Sequence, residues 1–252
     1  MCIRDRWKAT IAQEGDTYDE VINITPQPQA SVTIMDQKTG AIKAMVGGRG
    51  AKSSSLSLNR AYKGSKRQPG STFKILAAYA PAIDSCGKSL STIVVDEPYK
   101  YKNGKNVKNA SRSYKGAVTY RTAIANSINV CAVKVSDEIS QELGFEYCEK
   151  FGISTLVKEK KTDAGVFSDI NQTLALGGVT DGVYNYELCA AYATIANGGT
   201  YNTPTLYTKI VDHDGNVLLE NPGESHQAIK EGTASLLTSA METVVTLSLI
   251  HI

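Results

Sequence analysis

The stretch "RQPGSTFKILAAY", Arg67–Tyr79, decides how this chain is read. A Pro69-Gly70 break runs into Ser71, Lys74 follows three residues later, and an apolar run begins at Ile75. Proline and glycine end one element, and the run predicts a helix from Ser71 to about Asp84. Positions i and i+3 share a helix face, so Ser71 and Lys74 become neighbours. Two readings fit. In one, Ser71 caps a helix and Lys74 is solvated. In the other, Ser71 is a nucleophile and Lys74 takes its proton. A free lysine, with a pKa of about 10.4, is a poor base at neutral pH unless burial lowers it. Phe73, Ile75 and Leu76 supply apolar walls for that burial. A backbone N–H at the helix start is unpaired and suited to an oxyanion.

Histidine is the usual alternative base. His213 falls in a hairpin turn, His226 follows a Pro-Gly loop and His251 lies in the last six residues, so no local signature supports a Ser-His-Asp triad. A second constellation stands at Ser127-Ile128-Asn129, between the helical patterns "TYRTAIANS" and "INVCAVKVSDEIS". Its hydroxyl can relay a proton and its amide can hold a peptide group. Each pair alone also fits a capped helix end.

The rest of the chain supplies context. At 252 residues, with 42% hydrophobic and 21% charged residues, it has the composition of a globular protein. A formal net charge of +2 gives no argument for nucleic acid or a strongly charged membrane surface. The stretch from Lys100 to Lys115 is basic and free of acids, and it reads as a solvated loop face. No apolar run approaches the roughly 20 residues of a membrane span. The five cysteines have no Cys-x-x-Cys spacing, which argues against zinc; Cys131 and Cys189 read as buried small hydrophobes.

"SVTIMDQKTGAIKAMVGG" predicts a hairpin turning at Asp36–Gly40, and residues 47–70 a long surface loop. "YNYELCAAYATIANGG" predicts a helix ended by Gly198-Gly199, "TLYTKIVDHDGNVLLEN" a hairpin turning at Asp214-Gly215, and "GTASLLTSAMETVV" a last helix. Residues 1–6 and 247–252 match no element and read as non-native additions resembling translated adapter sequence. Residues 7–27 read as a linker or the end of a preceding region. The sum is an α+β chain.

At this point the chain resembles a known family. "RQPGSTFK" followed by "ANSINVCAV" is similar to the transpeptidase domain of penicillin-binding proteins. "MDQKTGAIKAMVGGRG", "LNRAYKGSKRQPGSTFK", "LALGG", "AAYATIANGGTY" and "TKIVDHDGNVL" resemble further segments of its bifunctional, class A members. The resemblance implies an antiparallel sheet with helices on both faces over residues 28–246. It implies Ser71 as the acylated nucleophile, Lys74 as its base, Ser127 as the hydroxyl passing a proton to the leaving D-alanine, and Asn129 as the holder of the donor peptide. It implies peptidoglycan stem peptides ending in D-Ala-D-Ala as substrates and β-lactams as covalent inhibitors. No cofactor or metal is implied. The expected location is the outer face of the bacterial cytoplasmic membrane, with an anchor outside this chain.

The family's third signature, Lys-Thr/Ser-Gly, follows Ser-x-Asn. Lys38-Thr39-Gly40 precedes Ser71 and falls on the predicted turn, so it is not counted. The expectation is that the third motif and the C-terminal strands of the sheet lie beyond Val245. Asn185 stands where the family usually has proline and is expected to cap the following helix. Two other functions stay open: a serine β-lactamase or D,D-carboxypeptidase that hands the acyl group to water, and a non-catalytic binding module.

Overall fold

The computed structural model describes residues 6–8, 25–50, 55–163 and 165–249, with side chains for all but 6–8, 25–27 and 248–249. The α+β expectation holds. Among the described residues, fourteen short strands pair antiparallel, two by two, around six α-helices.

The core gathers around residues 70–84. This segment opens as a 3-10 turn (Gly70–Thr72), continues through a π-helical stretch (Ile75–Tyr79) and ends as helix α1 (Ala80–Asp84). Phe73, Leu76 and Tyr79 are fully buried. Helices α2 (Tyr120–Ala125), α3 (Asn129–Ile139) and α4 (Gln141–Lys150) surround it. Gly144 of α4 lets the backbones meet, because a Cβ there would stand 2.4 Å from the Ala77 carbonyl oxygen. The sequence reading missed α4; its polar Gln141-Glu142 start and internal glycine hid the pattern.

The predicted hairpins are present. Strand β3 (Val32–Met35) pairs with β4 (Ile42–Val46) across a turn closed by Gly40 at φ +74°. Strand β12 (Lys209–Val211) pairs with β13 (Val217–Glu220). Helix α5 (Asn185–Ala196) covers one face of β3, where Met35 packs into the core. The opposite face carries Val32, Ile34 and Val46, each more than half exposed. Helix α6 (Glu231–Val244) packs on α2 and α5 and continues as a π-helical turn to Leu249, across the boundary drawn at residue 247.

One ladder missed in the sequence matters for the site. Strand β5 (Ile93–Asp96) pairs with β8 (Gly116–Thr119), which feeds directly into α2. Thr119 caps α2, accepting from the Thr122 N–H at 3.2 Å. At the N-terminus, Arg6–Lys8 pairs antiparallel with Thr25–Gln27, a ladder that lies in the stretch read as linker except for Arg6, the last residue of the stretch read as non-native. Residues 1–5 and 250–252, including His251, lie outside the described residues.

Two details correct the reading. Cys189 is only half-buried, whereas Cys131 is buried as expected. Asn185 does not cap α5; Tyr184 occupies the cap position without a side-chain bond. Asn185 Oδ1 instead accepts from Thr33 Oγ1 at 2.6 Å and ties α5 to the hairpin.

Candidate active site

Ser71 and Thr72 are exposed on the 3-10 turn, and the chain dives into the core at Phe73. Lys74 lies one turn on from Ser71 and is only 3% exposed. The turn is braced from outside. The Gln68 side chain makes a reciprocal pair with Val179: Val179 N–H donates to Oε1 at 2.9 Å and Gln68 Nε2 donates to the Val179 carbonyl. Arg67 and Val183 exchange backbone hydrogen bonds at 3.0 and 2.8 Å. Gly177 passes so close that a Cβ would stand 2.4 Å from Gly70 N. Tyr192 of α5 donates its hydroxyl to the Thr72 carbonyl at 2.7 Å.

The second constellation arrives from the α2–α3 junction. Ser127 N–H donates to Ile124 O at 2.9 Å and Ile128 N–H to Ala123 O at 3.0 Å, closing α2 with Ser127 in the left-handed region at φ +49°. A non-glycine residue there costs roughly 1–2 kcal/mol, and the conformation turns its side chain back toward Lys74. Lys74 Nζ lies 2.6 Å from Ser127 O, 2.9 Å from Ser127 Oγ and 2.5 Å from Asn129 Oδ1. Asn129 Nδ2 in turn donates to the Lys108 carbonyl at 2.7 Å.

Three acceptors match the three protons of an ammonium. They fit a neutral amine as well: it donates to the two carbonyl oxygens and accepts from the Ser127 hydroxyl. Burial lowers the Lys74 pKa to about 8, with the Cys131 thiol opposing the shift. Burial pushes the Cys131 thiol itself up to about 12, so it is no thiolate rival at neutral pH. Ser71 Oγ makes no hydrogen bond among the described residues, and its N–H lies in the turn's unpaired first positions.

The structure therefore brings together Lys74, Ser127 and Asn129 and sets Ser71 on the same turn as Lys74. It keeps His213 and His226 apart from them. His226 Nε2 pairs with the Lys150 carbonyl and the ring lies against Tyr201, while His213 pairs with Asp214 in an exposed turn. Lys38-Thr39-Gly40 is the β3–β4 turn: Lys38 N–H donates to Asp36 Oδ1 and Gly40 N–H to Asp36 O, each at 2.9 Å.

A supporting layer was not read from sequence. Asn109 Oδ1 accepts the Val130 N–H at 3.1 Å and so caps α3 from a distant loop. Its Nδ2 donates to Asp96 Oδ1 at 2.8 Å and to Ser113 O at 3.1 Å. Asp96, 1% exposed, also accepts the Lys115 N–H at 2.9 Å. An asparagine in a basic loop gives no local signal of this role; only the β5–β8 pairing places it.

Comparison with known proteins shows the family and the fold. The family described as "Penicillin binding protein transpeptidase domain" matches residues 30–248. Penicillin-binding protein 1A of Clostridium tetani is 38% identical over 218 residues, 84% of this chain and 27% of that protein. Penicillin-binding protein 1A/1B of Bacillus subtilis is 31% identical over 92% of this chain and 24% of that protein. The chain thus spans about a quarter of the length of these relatives. Among solved structures, PonA1 of Mycobacterium tuberculosis in complex with penicillin V shares the fold at TM-score 0.72 and 24% identity, over 86% of this chain and 56% of that one. Penicillin-binding protein 1A of Haemophilus influenzae gives TM-score 0.71 and 24% identity, over 94% of this chain and 38% of that one. The chain belongs to the penicillin-binding protein transpeptidase domain family.

Proposed function

We propose that this chain carries a serine acyltransferase site that cross-links stem peptides ending in D-Ala-D-Ala. Ser71 Oγ bonds to the carbonyl carbon of the penultimate D-alanine while Lys74 takes the hydroxyl proton. The Ser71 N–H faces the developing oxyanion. The C–N bond to the last D-alanine breaks, and the Lys74 proton passes through the Ser127 hydroxyl to the departing amine. Asn129 holds the donor peptide. An amine of a neighbouring peptide then attacks the ester, its proton returns to Ser71, and the cross-link leaves. β-Lactams acylate the same serine.

The observation that carries this reading is the buried Lys74 amine within 2.9 Å of Ser127 Oγ and 2.5 Å of Asn129 Oδ1. Burial is what gives a lysine a pKa compatible with base catalysis near neutrality. In the resting geometry the amine points to Ser127, so the proton path between these two groups is already made. Family membership supports the same chemistry, and the reading carries with it an expected location of the parent protein at the outer face of the bacterial cytoplasmic membrane. Among the described residues no helix is long and apolar enough to cross a membrane.

Incubation with a penicillin, followed by intact mass and peptide mapping, tests the reading. One adduct on Ser71 that persists over hours is expected. A rapidly cleared adduct would assign the β-lactamase or carboxypeptidase alternative, and stem-peptide binding without any adduct would assign the binding module.

A further inference from the structure

We propose that a groove beside Asn129, floored by Asn109 and walled by Lys108, Arg112 and Tyr114, is a subsite for a carboxylate-bearing residue of the donor peptide. This rests on the acyl-transfer reading for the peptide class. The groove holds about 510 Å³. It adjoins the site, because the Lys108 carbonyl accepts from Asn129 Nδ2 and Asn109 accepts from the next N–H of α3.

Charge sets its preference. The chain has no Asp or Glu from Pro98 to Ser136. Some cations elsewhere meet acids, as Lys66 and Lys160 meet Asp181 and Lys134 meets Glu97. Among the described residues Lys108 and Arg112 have no acidic partner. Asn109 is a floor and not a ligand, since Asp96, Ser113 and Val130 occupy its amide. The Tyr114 side of the groove is apolar and 46% exposed. An arginine fork beside an amide floor, with the Asp96 carboxylate behind it taken up by Asn109 and the Lys115 N–H, matches a carboxylate.

Backbone strain points the same way. Arg112 sits in the left-handed region at φ +57°, where its N–H closes a turn onto Asn109 O at 3.1 Å. Glycine or asparagine would occupy that turn at lower cost. An arginine held there against its preference marks a side chain used for its charge.

The test uses the chain in a Ser71→Ala background, so that binding is read without turnover. The probes are acetylated pentapeptides ending in D-Ala-D-Ala, with one glutamate placed at each of the three preceding positions, and their glutamine counterparts. Calorimetric titration is expected to show one glutamate peptide binding about tenfold tighter than its counterpart, as a charge-assisted pair implies. Lys108→Gln with Arg112→Gly should bring the two within about twofold. Arg112→Gly relieves the strained turn, so the melting temperature should not fall; loss of preference without loss of stability separates binding from scaffolding. No preference, no measurable binding, or a preference that survives both substitutions overturns the proposal. Failure of the acyl-transfer reading looks different: the unsubstituted chain forms no penicillin adduct on Ser71 while the carboxylate preference remains.

Discussion

The Lys74 cradle and the β3–β4 ribbon are both plain in the sequence, yet the fold supports them unequally. Lys74 is 3% exposed, with three oxygen partners, and Asn109, itself bonded to Asp96, braces the start of the helix that carries Asn129. The ribbon has α5 on one face and leaves Ile34 56% exposed on the other. Both strands alternate apolar residues onto both faces, the pattern of strands meant to be covered twice. A motif can therefore be clear as a local pattern and still differ widely in what holds it. The cradle is held inside the core; the ribbon is held by its own ladder, by α5 with the Thr33–Asn185 bond, and at its turn end by backbone bonds with Thr205 and the Asn202 amide, with its outer face left open.

Substitutions can break this contrast. The largest effect is expected at Lys74→Met, which keeps length and apolar contact but removes the base. Acylation of Ser71 by penicillin should fall about 10²–10⁴-fold, read as the second-order rate by stopped-flow or mass spectrometry. The fold should survive, because methionine relieves the burial of an ammonium. Next is Asn109→Ala, which uncaps α3 and leaves buried Asp96 short of a donor. It should cost roughly 1–3 kcal/mol in denaturant unfolding and slow acylation by loosening Asn129. The smallest is Ile34→Thr on the ribbon's open face, expected within about 0.5 kcal/mol of the parent. A loss of several times that would mean the face is covered in solution and the contrast is false.

Helix 70–84, α3, α5, α6 and both hairpins were legible because period and turn chemistry are local. The four candidate site residues were legible because Ser-x-x-Lys and Ser-x-Asn sit at element boundaries, where side chains reach clefts. What sequence withheld is non-local. Helix α4 begins on polar residues and buries Gly144 for close packing, which carries no hydrophobic signal. Asn109 acts only after β5 and β8 pair, and Gln68 only after residues 177–183 return to the Ser71 turn. Asn185 illustrates the converse: cap propensity was outweighed by the Thr33 hydroxyl across the hairpin. The Lys100–Lys115 stretch read as one solvated face, whereas the structure sets Lys108 and Arg112 on a groove apart from the remaining cations.

The central claim is that the lowered pKa of Lys74 activates Ser71. Burial brings that pKa from 10.5 to about 8. The folded value is depressed, so the charged amine opposes folding below about pH 8, and this cost is relieved as pH rises toward the unfolded value. Activity has the same sign, because only the neutral amine accepts a proton. The most direct measurement is the second-order rate of penicillin acylation at Ser71 from pH 5.5 to 10, with thermal unfolding recorded at each point. The account predicts a rate rising tenfold per pH unit and levelling near pH 8, with the rise absent in Lys74→Met. A profile that is flat, or one that levels near the ordinary histidine value of about 6.5, would contradict it.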